Sequence, residues 1–401
     1  MSLAFDHDVA IVGSGPAGTS TALHLVREQG IRPDRIVILD KAKFPRDKPC
    51  AGAISQLGVD AFAKIGIGVK VPFVEMRGVR VITEGSVGET FCAAGIIIRR
   101  TEYDARLLDD TRAEGVVIRE SETLQALERS GGGFRLTTRS AGGAVLTTTA
   151  RFIAACDGAG STTRKLLGLR EPERKGHLYV LETTPRACDS GTVRGLIDFD
   201  LSIVDDEGLQ GYYWDFPTII DGVAHVSRGI YHANLERTGQ RKGSDVKGSL
   251  ARSLARRGID ITQVKPRPFS TRPFVPTSTV ARHGVVLVGE AAGIDHTTGE
   301  GIAQAIVMGA IAARHLTRAL RTGLGAFDAY AHEVRTSTIG RHMLQSAWLA
   351  QRVYGRSGRP ARRLLLRSTF ARDAAMRWYR GETLSWSTKL RLGLGLVSGA
   401  L

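Results

Sequence analysis

The sequence predicts an α/β fold: a doubly wound parallel core, interrupted by an antiparallel β insertion and followed by a helical C-terminal cap. Three observations predict it. Residues 9–40 read as strand, glycine turn, helix, strand and terminal acid. Two later apolar runs, leading into Asp157-Gly158 and Gly289-Glu290, end in glycine turns of their own. Residues 179–274 alternate short strands with turns, and from Thr322 onward the pattern is helical and basic. The length of 401 residues suits two or three cooperating domains, and 47 Gly beside 13 Pro favour tight turns over a helical bundle.

Val9, Ala10, Ile11 and Val12 form a strand that runs into Gly13-Ser14-Gly15-Pro16-Ala17-Gly18, a G-x-G-x-x-G turn. Gly13 permits the tight turn, Gly15 lets backbone approach a pyrophosphate, and Gly18 lets helix and strand pack closely. The next helix offers a diphosphate its free N–H groups and positive dipole end. Ile36-Val37-Ile38-Leu39 is the second strand; Asp40 at its end can accept hydrogen bonds from ribose hydroxyls, with Lys41 beside it. This arrangement implies a bound dinucleotide but does not separate NAD from FAD.

Three later stretches choose FAD. Phe152 to Cys156 read as a strand ending in Asp157-Gly158, followed by a small-residue turn and Arg164. Val285 to Val288 lead into Gly289-Glu290-Ala291-Ala292-Gly293, and Thr298-Gly299-Glu300-Gly301-Ile302 opens an apolar helix. An acid at a strand end can bind a ribityl chain, and N–H groups at 299–302 can face the electron-rich edge of a flavin. Residues 1–74, 96–169 and 276–320 then form a discontinuous FAD-binding domain. Residues 75–95 and 170–275 form a substrate-binding β domain, and 321–401 a basic helical region.

Composition excludes several classes. With 42% hydrophobic and 24% charged residues, the chain is neither disordered nor collagenous. Cys50, Cys92, Cys156 and Cys188 include no CxxC pair, so no metal site is expected. Asp6, His7 and Asp8 do not suit a secretory signal, and no apolar run reaches the ~18 residues of a membrane span. A cytoplasmic protein with reduced cysteines is expected. Lys+Arg exceed Asp+Glu by 55 to 40, a net +15. Nine arginines between 351 and 380 face one acid, Asp373, amid Leu364, Leu365, Leu366, Phe370 and Trp378, and a greasy tail follows from Leu390. Such interleaving suits peripheral contact with the inner face of a membrane; no pattern supports nucleic acid.

Together these motifs resemble the flavoprotein group of p-hydroxybenzoate-hydroxylase-type monooxygenases, flavin halogenases and geranylgeranyl reductases, over most of the chain. The resemblance implies a Rossmann-like FAD domain, with FAD as cofactor: its ADP part on the G-x-G-x-x-G turn, support from Asp157-Gly158, and ribityl–pyrophosphate contact at Gly289 and Glu290, where the family has Asp. Arg100, in Arg100-Thr101-Glu102-Tyr103-Asp104, resembles the arginine of R-x-x-F-D, which often sits near the cofactor. Lys43-Phe44-Pro45-Arg46-Asp47-Lys48-Pro49-Cys50-Ala51-Gly52 resembles the geranylgeranyl reductases' F-P-R-x-K-P-C-G-G, with Ala51 in place of Gly. That match implies Cys50 beside the isoalloxazine, with Arg46 and Lys48 supplying positive charge.

Tyr212-Tyr213-Trp214-Asp215-Phe216-Pro217 matches the Y-x-W-x-F-P of those reductases' substrate-anchoring strand; halogenases carry W-x-W-x-I-P there. Alternation puts Tyr212, Trp214 and Phe216 on one face, an aromatic wall suited to a long apolar substrate. Cys50 and His296, the latter where the family commonly has Pro, are candidate proton donors. No second G-x-G-x-x-G follows a strand, so the electron donor is expected to be transiently bound NAD(P)H or a reduced protein. The expectation is an FAD-dependent oxidoreductase that reduces C=C bonds of an isoprenoid or similar apolar substrate. Its rivals are an O2-dependent monooxygenase or halogenase acting on an aromatic or polyketide, and a non-catalytic electron-transfer flavoprotein.

Overall fold

The computed structural model describes residues 5–169, 175–235 and 245–398; parts of the expected β domain (170–174, 236–244) and the end of the apolar tail (399–401) lie outside them. Among the described residues sixteen strands make two sheets. The first contains β1 (His7–Val12), β2 (Ile36–Leu39), β6 (Val117–Arg119), β7 (Glu122–Ser130), β8 (Gly133–Ser140), β9 (Val145–Ala155), β15 (Ala281–Arg282) and β16 (Val285–Leu287). The second contains β3 (Ala53–Ser55), β4 (Phe73–Thr83), β5 (Ser86–Ile98), β10 (Gly176–Thr183), β11 (Leu196–Asp200), β12 (Gly211–Ile220), β13 (Val223–His232) and β14 (Arg267–Thr271).

In the first sheet β16, β9, β1, β2 and β6 run parallel, so their C-terminal ends share one edge. The residues of β2 and β16 are all buried, as strands covered on both faces require. Helices α1 (Pro16–Arg27) and α8 (Ile302–Thr322) cover one face. Their backbones touch: a Cβ on Gly309 would meet Ser20 Oγ at 2.7 Å, and Ser20 Oγ donates to the Ile306 carbonyl at 2.6 Å.

The second sheet runs β14-β10-β13-β12-β11-β4-β5-β3, antiparallel except at β11–β4. It draws on residues 53–55 and 73–98, a wider stretch than 75–95, because the β4–β5 ladder continues to the pair Phe73 and Ile98. Alternation along β12 divides two environments. One face carries Tyr212, Trp214 and Phe216; Gly229 lies opposite Trp214, where a Cβ would come within 2.2 Å of the indole. The other carries Tyr213 and Asp215. There Arg228, with no side-chain exposure, bridges Asp189 and Asp215 at 2.6 Å each, and Arg257 also pairs with Asp215. Nearby, burial lifts Asp198 to about 7, with Arg80 opposing the shift.

The short helices are α4 (Thr162–Leu166), α5 (Ser190–Val193) and α6 (Ser202–Glu207); α2 (Gln56–Ala63), α3 (Arg100–Ala113) and α7 (Val246–Ala255) complete the body. The C-terminal region is helical: α9 (Asp328–Thr336), α10 (Thr338–Tyr354), α11 (Arg359–Arg367), α12 (Thr369–Tyr379) and α13 (Trp386–Ser398). Its arginines are largely engaged within the fold. Arg362 is buried against Asp205, Arg359 and Arg363 share Glu84, Arg377 and Arg380 share Glu382, and Arg372 donates to backbone carbonyls. Large apolar residues are exposed on α10, at Trp348, and on α13, where Trp386 is 78% and Leu390 54% exposed. Among the described residues no helix is long and apolar enough to cross a membrane.

Candidate active site

The glycine turn forms where β1 ends. Gly13 has φ +101°, and a Cβ there would sit 2.5 Å from the Cys156 carbonyl oxygen. A Cβ on Gly18 would fall 1.9 Å from the Gly13 carbonyl oxygen, so no larger residue fits without moving backbone. Gly15 is the N-cap of α1 and Pro16 opens it; no side chain caps this end and no acid lies in its first turn. The helix therefore presents unspent N–H groups to an anion.

Asp40 braces this turn. One carboxylate oxygen accepts from both the N–H and the hydroxyl of Ser14 at 2.7 Å, and the other accepts from the Ala42 N–H at 2.8 Å. The acid expected to hold a ribose thus also shapes the loop, with one lone pair on its second oxygen still open. Lys41 is exposed. Arg46 reaches toward Gly15, its Nη2 3.5 Å from where a Cβ would be. It shares the buried Asp104 with Arg100, which forks onto that carboxylate at 2.8 and 2.6 Å. Arg46 Nη1 is buried without a hydrogen-bond partner among the described residues. A dinucleotide's phosphates fit these donors: an open helix end, a side-chain-free approach and an unspent guanidinium nitrogen.

Two more turns meet the first along the same sheet edge. Asp157, just past β9, accepts from Ser161 Oγ at 2.5 Å and from Thr163 N–H and Oγ at 2.8 and 2.9 Å, which fixes the turn at Gly158, φ +75°. Gly289, past β16, has φ +60°, and its Cβ would touch Ala17 and Ala305 at 3.0 Å. Glu290 pairs with Lys48 at 3.2 Å and lies 3.9 Å from a Cβ on Gly158. The structure thus brings Gly13, Gly158 and Gly289 to one edge.

The loop at 295–301 is held from beneath and from above. Asp295 is fully buried, which opposes its charge, yet donors from His342, Ser346 and Thr297 hold its pKa below the usual carboxylate range. Its Oδ1 accepts the N–H groups of Thr297 and Thr298 at 2.6 and 3.2 Å. His296 donates Nε2–H to the Ala233 carbonyl at 2.8 Å, and burial lowers its pKa. Three tyrosine hydroxyls donate to successive carbonyls: Tyr231 to His296 at 3.2 Å, Tyr354 to Thr297 at 2.7 Å, and Tyr212 to Thr298. Gly299 has φ +68° against the Tyr231 ring, and Gly301 caps α8 with no side-chain bond. Glu300 turns inward, accepting the Ser55 N–H at 2.8 Å; burial lifts its carboxyl to about 8. Ile302 is buried as the first residue of α8.

Cys50 and Ala51 line a cleft with Lys48, Ile98, Arg100 and Ser227. The Cys50 sulfur accepts from the Gly52 N–H at 3.4 Å, and the Arg100 guanidinium lies within its hydrogen-bonding reach. Gly52 is required for that turn, since a Cβ would lie 1.9 Å from the Ile98 carbonyl oxygen. The aromatic wall is continuous: Phe199 packs on Tyr212 at 4.7 Å and on Phe216 at 5.4 Å, with Trp214 6.0 Å from Tyr212. Trp214 is 2% exposed, and its indole N–H has no partner among the described residues. Tyr379 of α12 is buried in the same cluster. Sequence reasoning missed Asp295, Ser346, Tyr231 and Tyr354. Only Asp295 had a signal, two residues before the T-T-G-E-G run.

Known proteins carry the same fold. A menaquinone reductase from Mycolicibacterium smegmatis is 26% identical over 396 residues, covering 91% of this chain and 85% of that protein. A geranylgeranyl bacteriochlorophyll reductase-like protein from Thermoplasma acidophilum superposes with TM-score 0.70 at 18% identity, over 96% of this chain and 95% of that one. A p-nitrophenol 4-monooxygenase from Pseudomonas putida superposes with TM-score 0.68 at 18% identity, over 98% and 99%. The FAD binding domain family matches residues 6–345, and the chain belongs to that family of FAD-dependent oxidoreductases.

Proposed function

We propose that this oxidoreductase reduces C=C bonds in an isoprenoid or similar long apolar substrate. The observation that carries the reading is the buried wall of Phe199, Tyr212, Trp214 and Phe216, adjoining the loop that leads into α8. Apolar burial against such a wall stabilises a ligand by ~25 cal/mol per Å² without requiring polar partners. The names of the menaquinone reductase and the geranylgeranyl bacteriochlorophyll reductase-like protein point the same way.

In this reading Gly13, Ser14, Gly15, Pro16, Ala17, Gly18, Asp40, Lys41 and Arg46 hold the nucleotide end of FAD. Asp157, Gly158, Gly289 and Glu290 support its middle, and Gly299 to Ile302 face its ring. Held there and reduced, FAD would supply the hydride for one alkene carbon. Cys50 holds the balancing proton at Sγ, with Ala51 beside it and Arg100 close by to orient the sulfur. We assign the proton to Cys50 rather than His296, because His296 commits its Nε2–H to the Ala233 carbonyl. Trp214 confines the substrate chain. Electrons come from NAD(P)H or a reduced protein.

The test mixes photoreduced holoenzyme with a polyprenyl alkene without oxygen. Flavin reoxidation with a product two mass units heavier supports the reading. Reoxidation only with O2, giving a hydroxylated product, sinks it in favour of a monooxygenase. Membrane contact is proposed through Trp386 and Leu390 of α13 rather than through the ion-paired arginines. Liposome flotation that is unchanged in Trp386→Ser/Leu390→Ser refutes that assignment.

A further inference from the structure

The loop between Asp295 and α8 has an asymmetric set of hydrogen bonds. Carbonyl and N–H of one trans peptide point in opposite directions, so fixing either end aims the other. In the 296–297 peptide the carbonyl is held by Tyr231 and the N–H by Asp295. In the 297–298 peptide the carbonyl is held by Tyr354 and the N–H by Asp295. In the 298–299 peptide Tyr212 holds the carbonyl, while the Gly299 N–H has no partner among the described residues. Two units are clamped at both ends, and the third is clamped only at its carbonyl.

The three donors come from separate elements. Tyr212 and Tyr231 are directly opposed across β12–β13, and Tyr354 ends α10, its ring 6.5 Å from that of Tyr212. We infer that Tyr212, Tyr231 and Tyr354 are positioning residues that aim the Gly299 N–H at the flavin's N1–C2=O edge and so bias the flavin toward its reduced form. The proposal rests on the reading that residues 299–302 face the flavin ring. Reduction builds negative charge at that edge, and an oriented donor beside the open end of α8 favours it. A carbonyl that accepts a hydrogen bond also polarises the N–H of its own peptide. Burial pushes all three phenols upward, so they remain donors throughout the working pH range.

The test compares holoenzyme with Tyr212→Phe and Tyr354→Phe, which keep the rings. Its control is Tyr213→Phe, whose equally buried hydroxyl donates at 2.8 Å to Asp215 on the sheet's other face. The readouts are the two-electron midpoint potential and the isotope-edited C2=O band of bound FAD, both taken without substrate. We expect Tyr212→Phe to lower the ratio of reduced to oxidised FAD affinity about three- to tenfold, the range of one hydrogen bond. That is about 15 to 30 mV more negative, and the C2=O band should move toward that of free FAD. Tyr354→Phe should shift both in the same direction and by less; Tyr213→Phe should leave both unchanged. A wild-type band equal to that of free FAD overturns the ring placement, and the proposal with it. A lowered wild-type band that neither Tyr212→Phe nor Tyr354→Phe moves, with unchanged potentials, overturns the proposal and leaves the ring placement standing. A shift of equal size in Tyr213→Phe also overturns it, as a general stability effect.

Discussion

Replacing Glu300 with Gln tests the buried carboxyl at the mouth of α8. Its pKa rises from 4.5 to about 8, first because of burial, with the neighbouring Asp295 pushing the same way; the Ser55 N–H and Gln304 oppose it. The sign follows from proton counting. Between those two values the unfolded chain has released the proton while the folded chain retains it, so wild-type stability falls as pH rises. Each tenfold difference in proton affinity between the two states is worth about 1.4 kcal/mol. At about pH 5 the penalty is about 1 kcal/mol, and at about pH 8 it reaches about 4 kcal/mol. Gln keeps the acceptor for Ser55 and has no proton to lose. Apo Glu300→Gln should therefore gain about 3 to 4 kcal/mol on wild type between about pH 5 and about pH 8. Urea denaturation of both proteins at several pH values measures this difference. Parallel stability curves would refute the assignment of a neutral, desolvated Glu300.

Further outcomes follow from other buried groups. Arg228→Met leaves Asp189 and Asp215 short of a cation where no side-chain surface is exposed, and should cost about 3 to 5 kcal/mol, read as a lowered Tm. With iodoacetamide, mass spectrometry of native protein should find the exposed Cys188 alkylated and Cys156 untouched, since burial pushes the Cys156 thiol up and shields it. Cys50→Ala should keep bound FAD while alkene reduction falls about 10²-fold or more, the range of one lost proton donor; unchanged turnover would remove Cys50 from that role.

What could be read in the sequence was local. Gly13, Gly15 and Gly18 announce a strand-to-helix turn within six residues, and the runs ending at Asp157 and Glu290 repeat the pattern. The period-2 wall of Tyr212, Trp214 and Phe216 was visible for the same reason. Contacts between distant segments were not. Tyr354 is 57 residues from the carbonyl it holds, and Ser346 is 51 from Asp295; nothing in either neighbourhood marks a loop anchor. Asp215 alternates with aromatics, and nothing near it in sequence marks the partners that pair with it, Arg228 and Arg257. The arginine run read as one basic face, whereas Arg362 is buried and Arg359, Arg363, Arg377 and Arg380 each have a carboxylate partner.

The most direct measurement is a titration of apoprotein with FAD, followed by quenching of flavin fluorescence, in wild type and in Gly18→Ala. The added methyl would lie 1.9 Å from the Gly13 carbonyl oxygen and push the phosphate-facing turn out of shape. Saturation at one FAD per chain in wild type, with affinity at least about tenfold weaker in the variant, is the predicted result. Indistinguishable binding by the two proteins, or no saturable binding by wild type, would contradict the account.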